Sequence, residues 1–193
     1  TYHYETSKTM GQEAVFVHLV NKYYITGQAT WVDSVQLYKL KDRAKNLEPI
    51  LIGKKAADFM MEDTLGNRHR LLETPAKYTV LFFYDPDCGH CKKSTPVLRD
   101  DMAKLKGIVD VKVVAGSVES EVDKWKKFIR EFKVGDWINL GDPNRLCNFR
   151  AYYDISTTPV IYILNEDKEI IARRIAAEQV KEIIENSEKI ESL

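Results

Sequence analysis

Hydrophobic residues in the first fifty positions recur at the spacing of helices, without the alternation typical of strands. The first hydrophobic stripe consists of Phe16, Leu19, Val20, Tyr23 and Tyr24. We expect this helix to end near Gly27, and Thr30 followed by Asp33 resembles a capping box for a second helix. The second stripe consists of Leu37, Leu40, Ala44 and Leu47 and stops at Pro49. The pattern predicts a helical N-terminal extension over residues 1–52.

The pattern changes after this extension, and residues 53–193 alternate between strand and helix signals. Gly66 and Asn67 separate two short segments between Phe59 and Leu72, which predicts a hairpin. Residues 78–84 form a continuous apolar and aromatic run, as in strands covered on both faces of a parallel sheet. The next helix carries Leu98, Met102 and Leu105, and residues 109–115 indicate a second parallel strand.

The last third of the chain predicts a helix, a loop region, a hairpin and a closing helix. Ser120 with Asp123 could cap the first of these helices, which we expect to end near Gly135. Residues 160–164 and 169–173 read as the hairpin strands, and Val180, Ile183 and Ile184 mark the closing helix. The expected fold class is α/β, with a mixed central sheet flanked by helices.

Composition and charge exclude several classes of function. The 193 residues are 44% hydrophobic and 30% charged, as in soluble globular proteins, and no apolar run reaches the roughly 20 residues of a membrane span. Basic and acidic residues balance at 29 each, so no net field attracts nucleic acid. Because the chain begins at Thr1 without a leader, we expect the extension to be the end of an upstream segment.

Two of the three cysteines lie in the sequence Cys88-Gly89-His90-Cys91, and this spacing indicates thiol–disulfide chemistry. A thiolate attacks a disulfide, and a second thiol resolves the mixed disulfide. At a strand-to-helix junction, the free N–H groups of the first helical turn would stabilise the Cys88 thiolate. We therefore expect Cys88 to be the nucleophile and Cys91 to resolve. Gly89 gives the turn freedom, and the His90 imidazole could hydrogen-bond to or pair with the Cys88 sulfur.

Other interpretations of this motif are weaker. The negative charges of Asp85 and Asp87 disfavour the Cys88 thiolate, so the sequence does not determine the reduction potential of the dithiol. Zinc needs four ligands, and a second cysteine pair is missing; the histidines outside the motif are scattered at His3, His18 and His69. A purely structural disulfide would close too short a loop to stabilise the fold much. We predict no metal and no cofactor.

The strand, the Cys-Gly-His-Cys motif, Pro96 in the following helix and the later Thr157-Thr158-Pro159 resemble thioredoxin over residues 56 to about 190. Within that fold the leading hairpin, the insert and the Asp-Pro-Asp-Cys-Gly-His-Cys-Lys-Lys run resemble the TlpA/ResA-like periplasmic thiol–disulfide proteins. This resemblance implies a three-layer thioredoxin-like sandwich with a kinked helix at Pro96. It also implies that Pro159 is cis and that Thr158 offers backbone groups to an extended substrate.

The resemblance further implies client proteins with disulfides or thiols and a membrane electron donor. The expected location is the periplasm or cell envelope, with a membrane anchor in the full-length protein. Two positions depart from the family pattern: Phe82 replaces thioredoxin's buried proton-handling Asp, and Ser94 replaces the Glu that often follows Cys-Lys-Lys. The base for Cys91 must then come from elsewhere, and Asp85, Asp87, His90 or water are candidates.

The leading functional hypothesis is a thiol–disulfide oxidoreductase that reduces client disulfides. A protein disulfide isomerase or oxidase is the alternative enzyme, because that class shares the Cys-Gly-His-Cys motif. A non-catalytic binding module is a third possibility, and a peroxidase is disfavoured because Pro86-Asp87-Cys88 lacks the peroxiredoxin pattern. We expect Cys147 to be buried as a small hydrophobe. The remaining aromatic residues are interpreted as packing and the lysines near Lys124 as a solvated face; oligomeric state stays open.

Overall fold

A computed structural model describes residues 12–191 of the chain. The helices are α1 (Gln12–Leu19), α2 (Ser34–Leu47), α3 (Gly89–Leu105), α4 (Val122–Phe132), α5 (Phe149–Tyr152) and α6 (Ala177–Glu191). The strands are β1 (Met60–Glu62), β2 (Arg68–Arg70), β3 (Tyr78–Tyr84), β4 (Val111–Ser117), β5 (Ile138–Leu140), β6 (Val160–Leu164) and β7 (Ile170–Arg173). A π-helical turn follows α1, and single 3₁₀ turns follow α2 and β2.

A five-stranded mixed sheet in the order β5-β4-β3-β6-β7 forms the centre of the fold. Strand β3 runs parallel to β4 and antiparallel to β6, and each of its seven residues is buried. This burial on both faces explains the unbroken apolar run in the sequence. The predicted α/β fold with a mixed sheet between helical layers is therefore confirmed.

Each face of the sheet carries its own hydrophobic core. On one face, Phe82 and Tyr84 pack with Cys91, Leu98 and Trp125 from α3 and α4, and α6 completes this cluster. On the other face, the apolar side chains of β3 pack against α1, α2, α5 and the leading hairpin. Helix α3 therefore packs on the first cluster through its buried residues.

The N-terminal helices pack onto the second core rather than extending away from it. Phe16 of α1 and Leu47 of α2 are fully buried in that core. Arg43 of α2 also pairs with Asp154, whose carboxylate lies 2.8 Å from the Arg43 guanidinium. Residues 1–11 of the predicted extension lie outside the described residues. Within residues 12–191, none of the helices combines the length and apolar character needed to cross a bilayer.

Expectations for two helices were wrong, and two short elements were not predicted. Asp33, and not Thr30, caps α2, because its carboxylate accepts the N–H groups of Val35 and Gln36 at 2.9 Å. Glu121 is the N-cap residue of α4, which ends before Gly135 because Lys133 adopts a left-handed conformation with φ of 55°. No sequence pattern indicated β5 and α5, which are three and four residues long. Elements this short depend on tertiary contacts, since β5 exists only as the partner of β4.

Candidate active site

Cys88 lies where β3 passes into α3, and it is the N-cap residue of that helix. Asp85 shapes the preceding turn: its carboxylate accepts the Asp87 N–H at 2.8 Å, and its carbonyl accepts the Cys88 N–H at 3.1 Å. The sequence folds this way because Asp side chains readily bond the backbone two residues ahead. The turn presents the Cys88 sulfur at the helix N-terminus.

The Cys88 thiol is half-buried and is surrounded by hydrogen-bond donors. Burial raises its pKa, but the backbone N–H groups of Cys91 and His90 and the side chains of Thr158 and Cys91 outweigh burial, so the pKa is lowered overall. These backbone donors are the free N–H groups of the first helical turn. The Cys88 Sγ lies 3.4 Å from the Thr158 carbonyl oxygen, to which the neutral thiol donates.

Cys91 lies one turn further along α3 and has the opposite environment. Its side chain is fully buried. Burial raises the pKa of this thiol to about 12, and the neighbouring Cys88 adds to the increase. Both cysteines are free thiols in this structure. The pair therefore combines an accessible sulfur that ionises readily with a buried sulfur that stays protonated.

The loop before β6 reaches the dithiol from a part of the chain seventy residues away. The Thr158–Pro159 peptide bond is cis, and both residues are half-buried. Thr158 contacts Cys88 through its carbonyl oxygen, and its side chain lowers the pKa of both cysteines. The structure thus brings together Cys88, Cys91 and Thr158 in one site.

The side chains of the other predicted site residues surround the dithiol, and of these residues Asp85 acts on Cys91 through its backbone. Gly89 and His90 are exposed, and His90 acts on Cys88 through its backbone N–H rather than through an imidazole hydrogen bond. The Asp87 carboxylate lies 3.2 Å from Lys124 Nζ, which offsets part of the negative charge beside Cys88. In residues 12–191 no hydrogen bond joins the side chain of Asp85, Asp87 or His90 to Cys91 Sγ.

Sequence analysis missed this role of Lys124, which it assigned to a solvated helix face. Lys124 Nζ also lies 3.3 Å from a Glu121 carboxylate oxygen. The three-residue spacing of Glu121 and Lys124 could have indicated that pair. The contact with Asp87 joins α4 to the turn before Cys88, which is distant in sequence, and no local pattern encodes it.

The two departures from the family pattern leave the site without a buried carboxylate. Phe82 is fully buried and stacks on Tyr84, with ring centroids 5.4 Å apart. Ser94 is half-buried on α3. Among the buried polar and charged residues of the described chain there is no Asp or Glu.

The third cysteine, Cys147, is not part of this site. Cys147 packs against the second core as a small hydrophobe but is half-buried rather than buried as expected. The Asp142 carboxylate accepts its backbone N–H at 2.9 Å. Burial raises the pKa of its thiol. Residues 12–191 contain no group of three metal-ligating side chains that could hold an ion. His3 lies outside the described residues.

The three thiols should differ in their reactivity with iodoacetamide at pH 7. Cys88 should react first, because a lowered pKa gives it the largest thiolate fraction. Cys147 should react more slowly, and Cys91 should stay unmodified because it is buried and protonated. Peptide mass spectrometry over time measures this order, and the unfolded chain, in which all three react alike, is the control. Equal rates for Cys88 and Cys91 in the folded protein would contradict the assigned environments.

Comparisons with known proteins agree with this geometry. Residues 52–173 match the AhpC/TSA family. The thiol–disulfide oxidoreductase ResA of Bacillus subtilis is 26% identical over 124 residues, which cover 64% of this chain and 67% of that protein. ResA of Bacillus cereus is 24% identical over 140 residues, covering 72% of this chain and 77% of that protein.

Solved structures extend the comparison to the whole fold. A domain of a possible thiol-disulfide isomerase from Cytophaga hutchinsonii is 41% identical, with a TM-score of 0.68, and covers 74% of this chain and 96% of that domain. A thioredoxin-like protein from Bacteroides caccae has a TM-score of 0.78 at 22% identity and covers 90% of this chain and 62% of that one. The second likeness supports the fold alone. The chain therefore belongs to the AhpC/TSA family and is a thioredoxin-like thiol–disulfide oxidoreductase.

Proposed function

We propose that Cys88 and Cys91 are the working dithiol and that the protein reduces disulfides in client proteins. One observation carries this proposal: two thiols three positions apart have opposite environments. Cys88 is accessible with a lowered pKa, whereas Cys91 is buried with a raised pKa. A nucleophile must be ionised and reachable, while a resolving thiol only needs to reach its neighbour.

In the proposed reaction the Cys88 thiolate attacks one sulfur of the client disulfide. The client's other sulfur leaves as a thiolate, and Cys88 is joined to the client by a mixed disulfide. Cys91 then attacks Cys88 Sγ and forms the Cys88–Cys91 disulfide. The Cys91 proton passes to the departing client sulfur, so the client gains two electrons and the enzyme loses two.

Thr158 and Pro159 are the proposed docking loop for an extended client segment. Thr158 already lies at hydrogen-bond distance from Cys88, and both residues are partly accessible. Gly89 and His90, which follow Cys88 and are exposed, leave room for a client chain. Asp85 and Asp87 support the turn and its charge balance through their contacts with the backbone and with Lys124.

An isomerase is the second candidate, favoured by the 41% identity with a domain of a possible thiol-disulfide isomerase. The reduction potential of the dithiol separates the two functions. A value near −270 mV, about that of thioredoxin, supports a reductase, and a value near −180 mV, about that of protein disulfide isomerase, supports an isomerase.

The test is an equilibrium titration of the protein in dithiothreitol and glutathione buffers, followed by quantification of free thiols. We expect a reversible two-electron couple that disappears in Cys88→Ser and persists in Cys147→Ser. A wild-type protein with no titrating dithiol would leave only the binding-module interpretation.

The proposed setting follows from the TlpA/ResA-like resemblance: the periplasm or cell envelope, an anchored full-length protein and a membrane electron donor. We also divide the chain into an extension, residues 1–52, and a thioredoxin-like domain, residues 53–193. The family match beginning at residue 52 supports this boundary. Helices α1 and α2 share a hydrophobic core with the central sheet, which supports an extension that packs against the domain.

A further inference from the structure

A cavity of about 430 Å³ lies at the edge of the sheet where the parallel strands β3 and β4 end. Its wall comes from two segments of the chain, residues 117–120 at the end of β4 and residues 142–150 around the start of α5. Ligands of α/β folds bind outside the carboxyl ends of parallel strands. The cavity is therefore well placed for a second contact with a client that reacts at Cys88.

The cavity wall is connected to the dithiol through the ends of two neighbouring strands. The Val118 N–H donates to the Tyr84 carbonyl at 2.9 Å, and Cys88 follows Tyr84 by four residues. Four residues span at most about 14 Å, so one extended client segment can reach both places. Such a segment advances about 3.3 Å per residue, so the client residue at the cavity lies about four to five positions from the attacked cysteine.

Two exposed arginines, Arg145 and Arg150, line this cavity. The Arg145 guanidinium lies 3.4 Å from the Ser120 hydroxyl, and the Arg150 guanidinium donates to the Val118 carbonyl. Within residues 12–191, neither guanidinium forms an ion pair with a carboxylate. Each guanidinium has five N–H donors, so most of these donors are available to a ligand. The cavity thus presents two positive charges that no neighbouring carboxylate neutralises.

The carboxylates around the cavity, in contrast, already have partners. Asp142 is the acidic residue among the described residues that line it, and its carboxylate accepts the N–H groups of Leu146 and Cys147, each at 2.9 Å. The Glu119 carboxylate accepts the Ser120 N–H at 2.7 Å. Because the nearby negative charges are satisfied and the arginines are not, the cavity favours an anionic ligand.

We propose that this cavity binds an acidic side chain of the client, and that Arg145 and Arg150 select clients with Asp or Glu about four to five residues from the attacked cysteine. The inference rests on the proposed disulfide-reductase function and names a substrate class for it. The planar donor fork of a guanidinium matches the two oxygens of a carboxylate. The Ser120 hydroxyl and the Asn148 amide on the same wall are further donors. The two arginines act through client affinity and leave the chemistry of the dithiol unchanged.

The test uses two extended peptides whose single cysteine is joined to 2-thiopyridine by a disulfide. The acidic peptide carries Glu about four and five residues from the cysteine on either side, and the neutral peptide carries Gln at the same positions. The Cys88 thiolate attacks the peptide sulfur, and 2-thiopyridine leaves, takes up a proton and is followed by its absorbance. Cys91 then attacks Cys88, and the peptide leaves as its thiol. All protein variants carry Cys147→Ser, so that the third thiol does not contribute.

With both arginines present we expect kcat/KM for the acidic peptide to exceed that for the neutral peptide about tenfold, through KM, as for one hydrogen bond to a charged group. The double variant Arg145→Gln/Arg150→Gln should lose this preference and keep the rate of the neutral peptide. Lys39→Gln/Lys45→Gln is the matched control, because it removes two charges from exposed positions on α2. It should retain the preference, since attraction by distant surface charges is largely screened by salt.

A single variant separates client binding from stability. Arg150 also donates to the Val118 carbonyl, so its replacement can lower the melting temperature. Arg145 makes only a long contact with the Ser120 hydroxyl, so Arg145→Gln should leave the melting temperature unchanged. It should reduce the preference for the acidic peptide by about threefold, half of the double variant's effect on a logarithmic scale.

Equal kcat/KM for the two peptides with both arginines present would overturn the inference. An equal loss of preference in Lys39→Gln/Lys45→Gln would assign it to net charge and would also overturn the inference. A double variant that slows both peptides alike would indicate a structural role, with the same consequence. These outcomes leave the proposed function intact, since the protein still releases 2-thiopyridine and the peptide thiol. Failure to release them from either peptide would overturn the proposed function together with this inference.

Discussion

Replacement of Cys91 by serine should convert the protein into a trap for its clients. Cys88 would still attack a client disulfide, because the backbone N–H groups at positions 90 and 91 and the Thr158 side chain, which lower its pKa, stay in place. The mixed disulfide would then persist. Effective molarities in well-oriented intramolecular reactions reach about 10⁵ M, so resolution by an external millimolar thiol should be at least about 10³-fold slower.

The measurement is turnover of a disulfide-bonded model protein, followed by non-reducing electrophoresis and intact mass. Cys91→Ser should accumulate a one-to-one adduct through Cys88, and Cys147→Ser should turn over like the wild type. Cys88→Ser should form no adduct, because buried Cys91 is inaccessible to a folded client. Normal turnover by Cys91→Ser would show that another thiol or the client itself performs resolution.

The central part of the fold could be predicted because its signals are local. The buried strand β3 is an unbroken apolar run, and the hairpin at Gly66 and the closing helix have distinct turn and periodicity patterns. The strand β5 and the helix α5 could not be predicted, since each is too short to carry a periodic pattern. The end of α4 depends on a left-handed Lys133, a residue type with no strong preference for that conformation.

In the candidate site, too, local features could be predicted from the sequence and contacts between distant segments could not. The pair of cysteines and the strand-to-helix junction follow from sequence spacing alone. The approach of Thr158 came only through the resemblance to thioredoxin, because it joins segments seventy residues apart. The contact of Lys124 with Asp87 was not anticipated from either source. Such contacts depend on how α4 packs against β3, and the apolar pattern specifies that α4 packs without specifying which polar atoms meet.

Phe82→Asp, which introduces a carboxylate at the position that matches thioredoxin's buried Asp, should destabilise the fold strongly. The Phe82 ring is fully buried, stacks on Tyr84 and meets Trp137 edge-on with centroids 6.0 Å apart. Loss of a buried phenylalanine typically costs about 3–5 kcal/mol, and an unpaired buried carboxylate adds several more. We expect the free energy of unfolding at pH 7 to fall by at least about 4 kcal/mol, measured by urea denaturation under reducing conditions.

Phe82→Asn is the matched control, because it has the same shape and no charge. An Asp in this apolar cluster should have a folded-state pKa above its unfolded value of about 3.9. Below that pH both states bind the proton, and the two variants should be equally stable. As the pH rises toward the folded-state pKa, Phe82→Asp should lose stability relative to Phe82→Asn, and above it the difference should be constant. Equal stability at pH 7 would mean that the cluster can solvate a carboxylate. The protein could then accommodate a carboxylate at position 82, and the packing of Phe82 with Tyr84 and Trp137 would not explain why thioredoxin's Asp is absent from this chain.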